Sequence, residues 1–254
     1  MGGGSVMPRF FIDKSAVRED NTVVITGEDA KHISLSLRSK PGERFVVCDD
    51  EGYEYNCVVS DITKNEVFLD IESKEKSKAE PSVYVTLYQA LVKNDKFESV
   101  IQKSVELGVS RIVPVLTQRC VSRPDESSLN KKMERWRKIA KEAAMQSGRG
   151  KCISVEETVS FDTALDRMKN DECSFVCYED FSHTPLTKVV NEAGKDVKTL
   201  SFLIGPEGGI SESEAQKCRD EGISLAGLGP RILRTETAPL CALSAVMLMT
   251  GNLD

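Results

Sequence analysis

The stretch Leu200-Ser201-Phe202-Leu203-Ile204-Gly205-Pro206-Glu207-Gly208-Gly209, with Ser211 and Glu214 just beyond it, decides how this 254-residue chain is read. Its mostly apolar start reads as a buried strand, its three glycines as a tight turn, and residues 211–221 as a helix. Ser211 and Glu214 have the spacing of a capping box, and Gly222 stands where the helix should stop. A glycine-rich turn between strand and helix lets the backbone approach a ligand, and the helix start behind it offers free N–H groups. No Gly-Lys-Ser/Thr follows and the spacing is not Gly-x-Gly-x-x-Gly, so the turn is neither a Walker loop nor a dinucleotide fingerprint. Taken alone, such a turn is as readily structural as ligand-binding.

The same alternation extends on both sides. Residues 83–91 read as a strand, and Phe97, Val100, Ile101, Val105 and Leu107 fall at helical spacing before Gly108. Strands follow at 112–116 and 174–178, with a long helix at 129–147 between them and a last helix at 237–249 carrying Pro239 in its first turn. Repeated strand–helix units predict an α/β domain with a mostly parallel sheet and helices on both faces. Ligands of such sheets sit at the carboxyl ends of strands, so the loops after Ile204 and Leu228 are where chemistry is expected. In the second loop, Arg231, Arg234 and Glu236 flank Ile232 and Leu233, which suits a pocket with apolar walls and a charged mouth. An Arg234–Glu236 surface pair is the plainer alternative.

Towards the N-terminus the pattern changes to short strands at 22–26, 44–48, 55–60 and 66–72, with one helix at 29–38. This spacing predicts a small β-barrel over 7–72, a polar linker at 73–81 ending in Pro81, and the α/β domain over 82–254.

Composition narrows the function. With 40% hydrophobic and 29% charged residues the chain is an ordinary globular protein. Its longest nearly apolar stretch, 238–249, is too short to cross a bilayer, and Met1-Gly2-Gly3-Gly4-Ser5 lacks the apolar core of a signal peptide. Eight cysteines form no Cys-x-x-Cys, and only His32 and His183 could complete a metal site, so no metal is expected. Cys173 and Cys177 alternate like strand residues and read as small buried hydrophobes. Scattered thiols without an export signal suggest the reducing cytoplasm. The net charge of −6 is unevenly spread: residues 81–151 hold 14 basic and 7 acidic side chains, while 1–80 and 152–254 are both acidic. One basic third can present a local face to phosphates. The cluster Lys131, Lys132, Arg135, Arg137, Lys138, Lys141, Arg149 and Lys151 reads by itself as a solvated helix face.

Several segments together carry a more specific signal: Pro8-Arg9-Phe10-Phe11, His32 to Arg38 ending in Leu37-Arg38, Gln89-Ala90-Leu91-Val92-Lys93 with Lys96, Glu106-Leu107-Gly108-Val109, residues 142–149, and the two loops from Leu203 and from Leu228. In this order and over nearly its whole length, the chain resembles the 16S ribosomal RNA uracil-N3 methyltransferases of the trefoil-knot (SPOUT) superfamily.

That resemblance implies a PUA-like barrel before a knotted α/β domain, in spite of the general rarity of threaded chains. It implies S-adenosylmethionine as cofactor, held by Leu203, Ile204, Gly205, Pro206, Glu207, Gly208, Leu228, Gly229, Ile232, Leu233 and Thr237. It also implies a homodimer, with the last helix as a candidate contact, and 16S RNA within the small ribosomal subunit as partner. Uracil N3 carries a proton at neutral pH, so the enzyme must remove it or stabilise the resulting anion. Arg234 is the candidate for stabilising the anion; Glu207 and Glu236 are candidate bases, though a role in holding their loops comes first. His32 reads as a barrel residue. Arg9, Arg38, Lys93, Lys96, Arg119, Arg123 and Arg149 are the candidates for gripping phosphates. Two readings compete: a related knotted enzyme with another target atom, and a ribosome-binding protein without catalysis.

Overall fold

The computed structural model describes residues 7–93, 95–179 and 184–253. The first five residues and His183, discussed above, lie outside them. The chain divides into two compact units: residues up to 80 together with 144–152, and residues 81–143 together with 153–254.

The first unit is built on β1 (Arg9–Phe11), β2 (Thr22–Thr26), α1 (Gly27–Lys31), β3 (Arg44–Cys48), β4 (Tyr53–Ile62) and β5 (Glu66–Lys76). They form one sheet in the order β1-β3-β4-β5-β2. Phe10, Val23, Ile25, Ile33, Phe45, Val47, Val59, Val67 and Leu69 share a single core, so the sheet curls until its two edge strands face the same interior. Each fully buried side chain of this size contributes about 1.5–3 kcal/mol.

The strands at 22–26 and 44–48 fall where the alternation placed them. β5 runs on to Lys76, four residues into the stretch read as linker, because Ser73, Lys74, Glu75 and Lys76 complete the antiparallel ladder with β4. A polar composition marks this as a solvated part of a hairpin. The helix expected at 29–38 is instead a single α-turn that widens into a π-turn at His32–Ser36, where Leu37 N–H bonds His32 O at 2.9 Å. It ends at Arg38 with φ +54°, a left-handed conformation that costs a side-chain-bearing residue about 1–2 kcal/mol.

Residues 144–152 lie within the sequence expected for the second domain but pack with the first unit. Arg149, 3% exposed, forms a two-pronged pair with Glu80 at 3.0 and 2.7 Å, and Gly150 N–H donates to the same carboxylate at 2.9 Å. Met145 adds its side chain to the barrel core.

The second unit continues with β6 (Tyr84–Ala90), α2 (Asp95–Glu106), β7 (Arg111–Leu116), α3 (Glu126–Gln146), β8 (Ser154–Val155), β9 (Val159–Ser160), α4 (Phe161–Met168) and β10 (Cys173–Cys177). It closes with β11 (Thr184–Pro185), α5 (Leu186–Ala193), β12 (Thr199–Ile204), α6 (Glu212–Asp220), β13 (Ser224–Gly227) and α7 (Ala238–Met249). The last three residues of α3 belong to the first unit.

The sheet order is β11-β13-β10-β12-β6-β7-β8, with β9 also on β7, and every pairing in it is parallel. The predicted parallel α/β sheet is therefore present. β12 lies between β10 and β6 and is buried from Leu200 to Ile204, which explains its unbroken apolar run. The capping box of α6 forms as expected, with Ser211 Oγ accepting from Glu214 N–H and Glu214 accepting from Ser211 N–H. Buried Glu214 also accepts from Gln118 N–H at 2.7 Å, which ties the loop after β7 to the start of α6. α7 is apolar all round and packs on α2 and α5. Among the described residues no helix is long and apolar enough to cross a membrane.

Candidate active site

At the carboxyl ends of β10, β12 and β13 the two loops singled out in the sequence enclose a cavity of about 840 Å³. This is ample for a small organic molecule. The first loop turns sharply, with Gly209 N–H bonded to Pro206 O at 2.9 Å. A side chain at Gly205 would press on the backbone of Gly209 and Ile210, and Gly209 has φ +68° with Glu179 against it. Two of the three glycines thus let the turn fold onto itself and its neighbours. The second loop, 228–237, leads from β13 to α7 and crosses back to the first. Thr235, buried, donates its hydroxyl to Gly205 O at 2.7 Å and accepts from Gln89 Nε2 at 3.3 Å.

The carboxylates of the loops are held by α2 and the segment before it. Glu207 accepts from Lys93 N–H at 3.2 Å and lies 3.9 Å from Lys96 Nζ. Lys96 Nζ is 3.3 Å from Glu236, so one ammonium faces a carboxylate from each loop. Burial pushes the Glu236 carboxyl up, but its own backbone N–H and Lys96 together outweigh this and hold it below the usual carboxylate range. Arg234 is different: its side chain is 82% exposed, and its nearest carboxylate, Glu236, is 4.0 Å away. The Arg234–Glu236 pair, the plainer alternative in the sequence, is thus present at the limit of an ion pair, with the guanidinium largely open to solvent.

Of the residues expected to hold a cofactor, Ile204, Gly205, Pro206, Glu207, Leu228, Gly229, Ile232 and Leu233 line the cavity. Leu203 does not; it points into the core with Tyr88 and Val176. Gly208 sits against Arg119, and Thr237 is the residue that precedes α7. Sequence reading missed Tyr178, Glu179 and Pro185 on the opposite wall. Tyr178 ends the strand read at 174–178 and Glu179 directly follows it, so the rule about carboxyl ends of strands could have found them. Gln89 and Thr235 lay within quoted segments without a role.

The expected phosphate-gripping residues divide. Lys93, Lys96 and Arg119 converge on the first loop, with Arg119 donating to Gly208 O at 2.9 Å. Lys93 and Arg38 are exposed. Others are occupied. Arg9 pairs with Glu54 at 3.0 Å and donates to Cys48 Sγ and Arg149 O. Arg149 is taken by Glu80, and Arg123 donates to the carbonyls of Thr117, Gln118 and Cys120. In the basic cluster, Arg135 pairs with Glu98 and Arg137 with Glu157. Among the described residues no group of His, Cys, Asp or Glu could hold a metal ion.

Comparison with known proteins follows this geometry. The RNA methyltransferase domain family matches residues 79–247, and the RNA methyltransferase PUA domain family matches 25–72. Ribosomal RNA small subunit methyltransferase E of Bacillus subtilis is 37% identical, over 96% of this chain and 97% of its own. The crystal structure of ribosomal RNA small subunit methyltransferase E from Neisseria gonorrhoeae bound to S-adenosyl methionine is 30% identical and superposes with a TM-score of 0.84, covering 95% of this chain and 97% of that one. A methyltransferase structure from Legionella pneumophila, with bound S-adenosylmethionine, is 28% identical with a TM-score of 0.85 over 95% and 97% of the two chains. The α/β sheet with a PUA-like unit before it is the architecture of these proteins.

Proposed function

The chain belongs to the RNA methyltransferase domain family, and on that premise we propose that it methylates N3 of a uridine in small-subunit ribosomal RNA with S-adenosylmethionine. The observation that carries this reading is one cavity walled by both loops, with the Arg234 side chain, 82% exposed, on its lining. The donor set suits this cofactor. Lys96, Arg231 and Arg234 balance Glu179, Glu207 and Glu236 around the cavity, where a polyphosphate would require surplus cations. Ile204, Leu228, Ile232 and Leu233 offer apolar surface to an adenine, and loop backbone groups supply its polar contacts. Bound there, the cofactor supplies an electrophilic methyl group on a sulfonium.

The residues of the chain then have distinct tasks. Arg234 meets the uracil carbonyl oxygens, where charge develops as N3 loses its proton to water, and a donor of this kind is worth about 10²–10³ in rate. Glu207 and Glu236 hold the loops: Glu207 accepts from Lys93 N–H, both face Lys96, and Lys96 with the Glu236 backbone N–H holds the Glu236 carboxyl below the usual range against the opposing effect of burial. The target base must be unpaired or flipped to present N3. Lys93 and Arg119, beside the first loop, are the candidates for taking phosphates next to that base, and the exposed Arg38 of the first unit is a further candidate phosphate contact. The exposed face of α7, with Cys241 and Leu248, suits contact with a second copy of the chain. Small-subunit RNA as substrate makes the cytoplasm the working compartment.

The test uses small ribosomal subunits lacking base methylation, cofactor with a labelled methyl group, and mass spectrometry of the nucleosides. Labelled 3-methyluridine is the expected product. Label on a ribose oxygen or another base would replace the target atom, and cofactor binding without any transfer would favour the ribosome-binding reading.

A further inference from the structure

Three carboxylates line the cavity, and two of them are already engaged. Glu207 and Glu236 both face Lys96, and Glu207 also accepts from Lys93 N–H. The third, Glu179, comes from the opposite wall, two residues beyond the end of β10. Tyr178 before it is fixed at both ends: its N–H bonds Ala226 O at 3.0 Å, and its hydroxyl donates to Glu212 at 3.0 Å. The carboxylate is thereby carried over the first loop, where Glu179 Oε1 lies 3.0 Å from the point that a Cβ on Gly209 would occupy. Arg119 Nη1 is 4.0 Å from the same point, but it donates to Gly208 O at 2.9 Å. Among the described residues no donor or cation is bonded to Glu179, and the residue is exposed to water.

Methylation at uracil N3 needs an acceptor for the N3 proton. A carboxylate tied to an ammonium is poorly suited to this, because the cation favours the ionised form and lowers its basicity. The methyl group must also arrive along the direction in which the proton leaves, so the acceptor has to clear that line. A water can step aside, whereas a side chain anchored on β10 cannot. We propose that Glu179 is the general base of the reaction and acts through one water. N3–H gives its proton to the water, and the water gives one of its own to the Glu179 carboxylate. The electron pair left on N3 bonds the methyl carbon, and the pair of the broken carbon–sulfur bond stays on sulfur. Glu179 then returns its proton to the solvent it faces. Lys96, Arg231 and Arg234 on the same lining offset the negative charge of the three carboxylates and of the ionising uracil. The inference rests on the uracil-N3 reading above and supplies the proton acceptor that this reading requires.

Glu179→Gln keeps the size of the side chain beside Gly209 and removes the acceptor; Glu179→Asp keeps a carboxylate. Melting temperature, S-adenosylmethionine affinity by calorimetry, and single-turnover transfer to unmethylated small subunits are measured for each, the last from about pH 6 to 8. The parent rate is expected to be level across this range, since a carboxylate acceptor is ionised throughout. Glu179→Gln is expected to melt with the parent, to bind cofactor within about twofold of it, and to transfer about 10²–10⁴ more slowly at pH 7. Its rate should rise about tenfold per pH unit, because N3 must then ionise without a base. Glu179→Asp should regain part of the rate and the level profile. A Gln variant with the parental rate and profile overturns the proposal, as does a loss of cofactor affinity as large as the loss of rate, and both leave the uracil-N3 reading standing. A parent protein that yields no 3-methyluridine overturns the two together.

Discussion

The Thr235 hydroxyl and the Gly205 carbonyl, thirty residues apart in sequence, lie 2.7 Å from each other and join the two loops of the cavity. The bond is buried, and the same hydroxyl accepts from Gln89 at the end of β6. The ends of β6 and β12 are thereby tied to the loop before α7 by one side chain.

Thr235→Val keeps the shape but leaves Gly205 O and Gln89 Nε2 without their partner, at a cost of about 1–3 kcal/mol. S-adenosylmethionine affinity, measured by calorimetry, is expected to fall about tenfold while the chain remains folded. Unchanged affinity would mean that the loops are held by other contacts.

Lys96 faces Glu207 and Glu236 with a single ammonium, so Lys96→Met should loosen both loops and Lys96→Arg should restore much of the cofactor affinity. The pH dependence has a definite sign. Glu236 has a folded-state value held below the ordinary 4.5 by its own N–H and Lys96, against the opposing effect of burial, so the tie is fully present above pH 4.5 and is lost as pH falls through the lower value. Cofactor affinity of the parent should therefore be flat from this carboxylate's contribution above about pH 5.5 and fall below pH 4.5. Lys96→Met should shift the onset of that fall upward in pH.

Arg149 illustrates a basic residue whose role is internal. Removing it as Arg149→Met strands the Glu80 carboxylate and is expected to cost about 3 kcal/mol, read from denaturant unfolding. Cofactor affinity of the folded protein should not change. A surface role alone would leave stability where it was.

Burial pushes the thiols of Cys48 and Cys173 up to about 11 and those of Cys57 and Cys218 up to about 12, while Cys152 and Cys241 are exposed. A thiol reagent at neutral pH should modify Cys152 and Cys241 ahead of the buried thiols. If α7 joins two copies, Cys241 is protected at high protein concentration and reacts on dilution; equal rates at every concentration would argue against this face as the contact.

Much of this molecule could be read before it was seen, for identifiable reasons. β12 is buried on both sides and α6 is capped by its own sequence, so the parallel sheet and the first loop follow from local pattern. The strands of the first unit alternate as half-buried strands must. Legibility fails where a residue's partner is distant in sequence. Nothing near Arg149 or Arg9 announces Glu80 or Glu54, and a cation with a carboxylate partner distant in sequence looks the same in sequence as one awaiting a phosphate. The π-turn at His32–Ser36 escaped because its apolar spacing, anchored by Ile33, mimics an ordinary helix. Strands as short as β8, β9 and β11, each two residues long, have too little pattern to be seen. The strand-end rule reaches Tyr178 and Glu179, but that they wall the same cavity as the two loops depends on which strands are neighbours, and that is a property of topology.

The central claim is that the two loops hold the cofactor while Arg234 acts on the base. It is tested most directly by Arg234→Ala, with S-adenosylmethionine affinity and single-turnover methyl transfer to unmethylated small subunits measured on the same preparation. The account predicts an affinity within about twofold of the parent, because this side chain is 82% exposed, and a transfer rate lower by about 10²–10³. Transfer at the parental rate, or a loss of affinity as large as the loss of rate, would contradict it.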